Sequence, residues 1–189
     1  GDGSGPDIWR TARRVLDATS DAYALYTEWI GPYAQGLYPQ LTVSLVPPDS
    51  AEAGGMEYPT LFTVGAIGGG GQLRCFRLLE VEAVHELGHQ WFQSVVATNE
   101  AESPWLDEGF TDYLTTRAMG HLYNGAVWSC GGWSFDYLGM RRMEYRVWPS
   151  VPMAGLAWDF GTEYSVATYA KPVLALTSLE RLAGEPAMI

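Results

Sequence analysis

The segment HELGHQWF, residues 85–92, decides both the fold and the chemistry that this chain can support. It lies within a longer run, residues 72 to about 96, whose apolar side chains recur every three or four residues and predict a helix. Because one helical turn takes about 3.6 residues, His85 and His89 project from the same face and can bind one metal ion together. Glu86 is placed beside them to accept a proton from a metal-bound water, and not to bind the metal itself.

Glu108 supplies the carboxylate that would complete such a metal site. It follows His89 after 18 intervening residues, at the start of a helix that Ser103-Pro104 is expected to begin. Zinc suits two neutral imidazoles and one carboxylate, and it leaves a further position open for water. Helices carry His and Glu for ordinary reasons, but a Glu at this preset distance makes chance a poor explanation. The sequence therefore predicts one Zn²⁺ bound by His85, His89 and Glu108.

One histidine and two cysteines fall outside this pattern: His121, Cys75 and Cys130. His121 is expected to be a surface histidine or a hydrogen-bonded core histidine, and not a ligand. The two cysteines lack metal-ligand spacing, and two cysteines cannot define a disulfide framework. We expect two buried thiols. The sequence also allows a single disulfide between them, so it does not decide the redox compartment.

Composition and charge limit the class of protein. The chain has 189 residues, 47% of them hydrophobic, which is enough for one domain with its own core. No uninterrupted apolar run reaches the length of about 18 residues that a membrane span needs. The net charge of −11, with only 11 Lys and Arg, argues against nucleic-acid binding. An acidic surface favours cationic ligands such as a free α-amine or a metal ion, or it serves solubility alone.

Strand and helix patterns share the first half of the chain, and helices dominate the rest. Gly31-Pro32 ends the first helix, Pro47-Pro48 ends the first strand, and the glycine run 68–71 is predicted to be a loop. Residues 119–160, rich in Trp, Gly and Pro, allow no assignment. The pattern predicts an α+β fold that is mostly helical. The predicted helices are 7–30, 72–96, 103–117 and 168–182, and the predicted strands are 41–46 and 60–66.

Four segments together resemble one family of zinc peptidases. In chain order they are GGMEYP at 54–59, HELGHQWF at 85–92, WLDEGF at 105–110 and YSVATYAK at 164–171. The family shows its corresponding segments in the same order. From about residue 9 to its end, the chain is similar to the gluzincin aminopeptidases of the membrane alanyl aminopeptidase and leukotriene-hydrolase type.

This resemblance implies a thermolysin-like gluzincin catalytic domain over residues 9–189, with a small β-sheet on the N-terminal side of the zinc helix. Residues 1–8 are then expected to be a linker or a fragment boundary. The family's N-terminal β-rich domain is not found in this sequence, and we expect the catalytic domain to pack against it.

The resemblance also assigns roles to further residues. Glu57 would bind the α-amine of the substrate through a charge-assisted hydrogen bond. Tyr169 would donate a hydrogen bond to the oxyanion of the tetrahedral intermediate. Gly54, Gly55 and Met56 would line the substrate backbone. Taken alone, GGME could be an ordinary turn and Tyr169 a core aromatic residue.

The sequence departs from the family pattern at three positions. Tyr58 stands where the family usually has Asn, which bears on substrate contacts, and Pro172 stands where Gly is common. Thr115 stands where the family often has a Glu that supports a histidine ligand. Asp112, one turn after Glu108, is a candidate replacement because metal-bound histidines need an outer acceptor. The alternative is a solvated Asp on the helix surface.

The resemblance implies an aminopeptidase that removes N-terminal residues from peptides with a free N-terminus, by means of zinc-activated water. One alternative is an endopeptidase on the same scaffold, which Glu57 argues against because an amine anchor beside the zinc would block a longer chain. Another is a catalytically impaired binding module, which would need neither Glu86 nor Tyr169. Epoxide hydrolysis, known in one branch of the family, has no specific support in these residues.

Overall fold

The computed structural model describes residues 8–33, 38–46, 54–65 and 75–188. Helices dominate these ranges, and the strands form two small sheets, which confirms the predicted α+β fold. Among the described residues, no helix has both the length and the apolar character needed to cross a membrane. In chain order the elements are α1 (Ile8–Trp29), β1 (Thr42–Val46), β2 (Leu61–Gly65), α2 (Leu78–Gly88), α3 (Pro104–Tyr123), β3 (Ala126–Cys130), β4 (Trp133–Asp136), α4 (Tyr137–Val147), a π-helical turn (Val166–Ala170) and α5 (Lys171–Ala183).

Helix α1 packs one face against α2 and builds the main core. Val15, Ala18, Ala22 and Tyr26 recur every three or four residues and are all almost completely buried. The first predicted helix is therefore confirmed, and it stops just before Gly31, which has a φ of +123°. The buried residues of α2 that complete this core are Leu79, Ala83, Val84 and Leu87.

Strands β1 and β2 pair in parallel, and β2 lies against α2. Phe62 and Val64 of β2 are fully buried in the same core as α1 and α2. Met56 forms an antiparallel bridge with Thr63, so the GGME segment runs alongside β2. Both predicted strands are confirmed within the described residues. The strand-ending Pro47-Pro48 and the predicted glycine loop 68–71 lie outside them.

Helix α2 carries the HELGH segment and is shorter than the predicted helix 72–96, since it covers only Leu78–Gly88. Residues 72–74 lie outside the described ranges. After α2 the chain turns sharply, with Gln93 at a φ of +87° and Phe92 bridged to Val96. Trp91 still packs into the core from this turn, with 4% of its surface exposed. The apolar period therefore continues beyond the helix, which explains the overestimate.

Helix α3 begins at Pro104, as predicted, but continues to Tyr123 instead of ending near Arg117. It ends where Asn124 takes the left-handed conformation, with a φ of +51°. The last helix, α5, begins at Lys171, directly after the π-helical turn, close to the predicted start near residue 168.

The unassigned stretch 119–160 contains the end of α3, the antiparallel hairpin β3–β4 and helix α4. A disulfide joins Cys75, just ahead of α2, to Cys130 at the end of β3. The expectation of two thiols is therefore wrong. Although 55 positions separate the cysteines, the Cys75 segment pairs with β3, where the Ser129 N–H donates to the Cys75 carbonyl at 2.9 Å. This contact depends on tertiary structure and leaves no local pattern in the sequence.

Helix α1 begins at Ile8, the last residue of the predicted linker 1–8. The other residues of that linker lie outside the described ranges. The predicted catalytic domain over residues 9–189, and its packing against an N-terminal β-rich domain, stay predictions.

Candidate active site

Helices α2 and α3 bring three polar atoms into one small triangle. The Nε2 atoms of His85 and His89 lie 3.2 Å apart, and Glu108 Oε2 lies 3.1 Å from the first and 3.3 Å from the second. A tetrahedral zinc ion with bonds of about 2.0–2.1 Å holds its ligand atoms roughly 3.3 Å from one another. The three side chains predicted as ligands therefore lie together, at separations that one zinc ion requires.

Gly88 allows the two helices to come this close. A Cβ atom at Gly88 would lie 2.9 Å from Thr111 Cγ2 of α3, closer than side chains normally pack. His85 on α2 and His89, directly after its last residue, flank this contact, and both reach Glu108 in the second turn of α3.

The triangle carries opposite charges in close contact. Burial alone would lower the pKa of His85, but hydrogen bonds with Asp112 and Glu108 raise it to about 9. Burial would likewise lower the pKa of His89, and hydrogen bonds with Asp107 and Glu108 raise it well above its ordinary value. Burial would raise the pKa of Glu108, but hydrogen bonds with the two histidines hold it below its ordinary value. Metal binding to such a site displaces protons, so its affinity rises with pH.

Asp107 holds the outer nitrogen of His89. Its Oδ1 lies 2.7 Å from His89 Nδ1, and the carboxylate is completely buried. Thr111 Oγ1 lies 3.2 Å from the same nitrogen. A carboxylate on Nδ1 favours the tautomer whose Nε2 lone pair faces the metal position.

Asp112 lies behind the other imidazole, as part of a buried network. Its Oδ1 is 3.6 Å from His85 Nδ1, and Thr115 Oγ1 is 3.4 Å from that nitrogen. Arg141 from α4 binds both carboxylate oxygens, with Nε 2.7 Å from Oδ2 and Nη2 2.9 Å from Oδ1. The Tyr137 hydroxyl donates to Oδ1 as well. Asp112 is fully buried, so the alternative of a solvated Asp on the helix surface is wrong.

Glu86 lies beside the triangle with one oxygen unpaired. It is 7% exposed, and its Oε2 has no hydrogen-bond partner among the described residues. Burial raises the pKa of Glu86 to about 7. The backbone of Gly55 packs directly on this carboxyl group, which leaves no room for a side chain at position 55. A carboxyl group with this pKa can exchange a proton near neutral pH.

Tyr169 lies on the π-helical turn that precedes α5, with its ring centroid 5.8 Å from that of His85. Burial and the charge of Glu108 raise the pKa of Tyr169, so it stays a protonated phenol that can donate a hydrogen bond. The guanidinium of Arg141 lies 5.1 Å from the ring centroid. Single π-helical turns are frequent at functional sites.

Glu57 reaches the same region from the sheet side. A carboxylate oxygen of Glu57, a ring nitrogen of His89 and a carboxylate oxygen of Asp107 all lie within 4.8 Å of one another. Glu57 is half-buried, whereas Gly54 and Met56 are exposed and Gly55 is half-buried. The structure therefore brings the GGME segment and the HELGH helix to one site.

The family model described as the peptidase family M1 domain matches residues 18–188 of this chain. The chain belongs to peptidase family M1. This membership confirms the resemblance to the gluzincin aminopeptidases and, at the level of class, the prediction of a metallopeptidase.

Curated relatives of this M1 domain are much longer than the chain. Human aminopeptidase RNPEPL1 is 26% identical over 193 residues, which cover 95% of the chain and 25% of that relative. Human aminopeptidase B is 36% identical over 124 residues, covering 61% of the chain and 18% of that relative. Leucine aminopeptidase 2 from Neurospora crassa is 34% identical over 141 residues, covering 73% of the chain and 19% of that relative. The matched part of the chain thus spans a quarter or less of the length of these proteins.

A solved structure confirms the fold of the domain. The M1 zinc metallopeptidase from Deinococcus radiodurans superposes with a TM-score of 0.59 at 23% identity, covering 100% of the chain and 36% of that structure. At this identity the likeness concerns the fold alone, and it agrees with the predicted gluzincin catalytic fold.

The departures from the family pattern fit the structure of this M1 domain. Tyr58 is 56% exposed, so the residue that replaces Asn is not part of the core. Pro172 lies in the first turn of α5, where proline is tolerated, and its ring packs directly on Gly109 of α3.

His121 is exposed, with its ring 6.2 Å from that of Trp29, so it lies outside the triangle as expected.

Sequence reasoning missed two residues of this site, Asp107 and Arg141. Asp107 directly precedes Glu108, and the rule that each metal-bound histidine needs an outer acceptor could have drawn attention to it. Arg141 comes from the stretch that allowed no assignment, and no signal in the sequence pairs it with Asp112.

Proposed function

We propose that this chain is the catalytic domain of a zinc aminopeptidase that removes N-terminal residues from peptides. The observation that carries the proposal is the triangle of His85, His89 and Glu108 with the unpaired carboxyl group of Glu86 beside it. Two imidazoles and a carboxylate at zinc-ligand separations leave further positions open, as in catalytic zinc sites. One Zn²⁺ held by these residues would polarise the scissile carbonyl and lower the pKa of a bound water to about 7.

Glu86 would act as the general base. Its buried carboxyl group, whose pKa is raised to about 7, would take a proton from the attacking water and pass it to the leaving amine. No neighbour in the described part of the chain binds its Oε2. A buried, unpaired carboxyl oxygen is costly in a structure, so its presence beside the three donor atoms supports a role in proton transfer. It also argues against a module that only binds peptides.

Tyr169 would stabilise the oxyanion that forms in the tetrahedral intermediate. The raised pKa keeps its hydroxyl protonated, and its ring lies beside that of His85. A donor that meets charge only in the transition state raises kcat and not merely affinity.

Glu57 would bind the free α-amine and set the exopeptidase mode of cleavage. Its carboxylate lies on the sheet side of the site, close to His89 and Asp107. An ammonium group gains a charge-assisted hydrogen bond there. Gly54, Gly55 and Met56 would lie along the substrate backbone, because this segment runs beside β2 at the edge of the site.

Asp107 and Asp112 would orient the two imidazoles. Asp107 contacts the outer nitrogen of His89 directly, and Asp112 lies behind His85 together with Thr115. Groups of this kind hold the ligand ring and raise its basicity, and their loss typically weakens metal binding by about 10–100-fold.

The proposal is tested with the intact protein and a panel of aminoacyl-arylamides, each paired with its N-acetylated form. We expect turnover of the free-amine substrates, loss of turnover after chelation, and recovery when Zn²⁺ is restored. N-acetylation should abolish turnover because it removes the ammonium that Glu57 would bind. Equal cleavage of acetylated substrates would favour an endopeptidase, and zinc-independent cleavage would contradict the proposed mechanism.

A further inference from the structure

Gln90 follows the metal-site histidine His89 directly and is completely buried, yet it lies outside the metal triangle. Both ends of its side-chain amide bind the segment that follows GGME. We propose that Gln90 is a positioning residue that holds Glu57 at a set distance from the metal site, and thereby determines how tightly the free α-amine of a substrate is bound. This inference rests on the proposed function.

The Gln90 amide makes three hydrogen bonds to surrounding groups. The Thr60 N–H donates to Gln90 Oε1 at 2.9 Å, and the Tyr33 hydroxyl donates to the same oxygen at 3.3 Å. Gln90 Nε2 donates to the Tyr58 carbonyl at 3.2 Å. One side chain, two residues beyond the end of α2, therefore binds the turn 58–61 through both a donor and an acceptor.

The turn that Gln90 holds has an unfavourable backbone conformation. Thr60 has a φ of +68°, which is a rare value for a β-branched residue. Such conformations persist only where surrounding contacts hold them. The bond from the Thr60 N–H to Gln90 is one of these contacts, and the bond from the Leu61 N–H to the Tyr58 carbonyl, at 3.0 Å, closes the same turn.

Glu57 lies between two fixed backbone points. On one side, the Thr63 N–H donates to the Met56 carbonyl at 2.9 Å and fastens Met56 to β2. On the other side, the Tyr58 carbonyl is bound by Gln90. Gln90 is the next residue after His89. The position of the Tyr58 carbonyl is therefore tied to the position of the metal site. The strength of a charge-assisted hydrogen bond depends on the distance between its partners. The position in which Gln90 holds Glu57 therefore determines how tightly the substrate amine is bound.

A structural role alone is the competing explanation, since a buried amide with all its partners also stabilises the fold. The two roles differ in their kinetic effect. Loss of a purely structural residue lowers stability and metal content and reduces kcat through the fraction of active enzyme. Loss of a residue that positions Glu57 raises KM for free-amine substrates and leaves zinc content and kcat close to those of the wild type.

The test compares Gln90→Met with Gln93→Met in the intact protein. Gln93 lies in the neighbouring turn, where its side-chain oxygen accepts only from Ser94 Oγ at 3.3 Å among the described residues, so it serves as a matched control. For Gln90→Met we expect KM for a free-amine aminoacyl-arylamide to rise about tenfold, with kcat within about threefold of the wild type. We expect the wild-type zinc content and faster amide exchange at Thr60. Gln93→Met should match the wild type in all four measurements.

A second variant keeps the inference testable if Gln90→Met folds poorly, and a third tests the strained turn if Gln90→Met folds. Gln90→Glu retains an acceptor for the Thr60 N–H and the Tyr33 hydroxyl but sets a second oxygen against the Tyr58 carbonyl, so its KM should lie between those of the wild type and Gln90→Met. Thr60→Gly adopts a positive φ without strain, so adding it to Gln90→Met should lower KM towards the wild type. An unchanged KM in folded Gln90→Met, or a loss of kcat and zinc without a rise in KM, would overturn the inference while the proposed function stands. If the wild type itself shows no preference for a free amine, the proposed function fails and the inference fails with it.

Discussion

Asp107 Oδ1 lies 2.7 Å from His89 Nδ1, on the side of the imidazole that faces away from Glu108. The ring is thus held between two carboxylates, one of which is completely buried. This arrangement fixes which nitrogen faces the metal position, and it leads to the first prediction.

Asp107→Asn should weaken zinc binding by about 10–100-fold with little change in fold. The amide keeps the size of the side chain but loses the negative charge that raises the basicity of His89. Competition with a chromophoric zinc chelator measures the affinity. Glu102→Gln, an exposed carboxylate in the preceding turn, should retain wild-type affinity. Equal affinities for the two variants would contradict this role for Asp107.

Asp112→Ala should lower both zinc affinity and the free energy of unfolding. The substitution removes the buried carboxylate that binds Arg141, which is 8% exposed, and leaves it only the pair with Glu144, whose side chain is 30% exposed, among the described carboxylates. Breaking a buried ion pair from one side typically costs about 3–5 kcal/mol. Urea denaturation of the metal-free protein measures the loss. Asp17→Ala, which removes an exposed pair with Arg13 at 3.9 Å, should change stability by less than about 1 kcal/mol.

The zinc measurement on Asp112→Ala separates stability from ligand positioning. If the folded variant binds zinc as tightly as the wild type, Asp112 stabilises the fold but does not support His85.

Glu86→Gln should retain zinc and reduce kcat by at least about 10²-fold, because the amide cannot accept the proton of the water. It should also change how stability depends on pH. Burial raises the pKa of Glu86 from 4.5 to about 7, so between these values the folded protein binds more protons than the unfolded chain. The contribution of Glu86 to the free energy of unfolding is therefore fully present below pH 4.5 and is lost as the pH rises through 7.

Urea denaturation of the metal-free protein at several pH values measures this effect. The wild type should lose stability relative to Glu86→Gln as the pH rises from 4.5 to 7. A constant difference between the two proteins across this range would show that the Glu86 carboxyl group ionises in the folded protein as it does in water.

Replacing both Cys75 and Cys130 by Ser should destabilise the domain by about 4 kcal/mol, because the bridge closes a long loop in the unfolded chain. The cysteines are 55 positions apart, and the bridge fastens the start of the helix that carries HELGH to the hairpin β3–β4. Denaturation with and without a thiol reductant provides the measurement. The reductant should destabilise the wild type and leave the double variant unchanged. Equal stability of the two proteins without reductant would argue that the bridge does not form in solution.

The residues that could be predicted from the sequence are those whose relation is local and periodic. His85 and His89 are one helical turn apart, so their convergence follows from helix geometry. Glu108 is predicted as a ligand from its spacing after His89. The close packing of Gly88 on Thr111 explains why α3 brings Glu108 near the two histidines.

The residues that escaped prediction act across distant parts of the chain. Arg141 reaches Asp112 from α4, 29 positions away, and the Cys75 segment pairs with a strand that no pattern revealed. Gln90 falls within the predicted helix 72–96 because the apolar period continues through Trp91, so the sequence gives no sign of its contacts. Its binding of the turn 58–61 depends on the chain leaving the helix at His89.

The most direct test of the account is zinc K-edge X-ray absorption on the zinc-loaded protein, together with its zinc content. We expect one zinc ion per chain, with two imidazole ligands and oxygen ligands at about 2.0–2.2 Å. His85→Ala should change this spectrum, and His121→Ala should leave it as it is. Sulfur ligands, a single imidazole, or a spectrum that is altered by His121→Ala and unaltered by His85→Ala would contradict the convergence of His85, His89 and Glu108 on one ion.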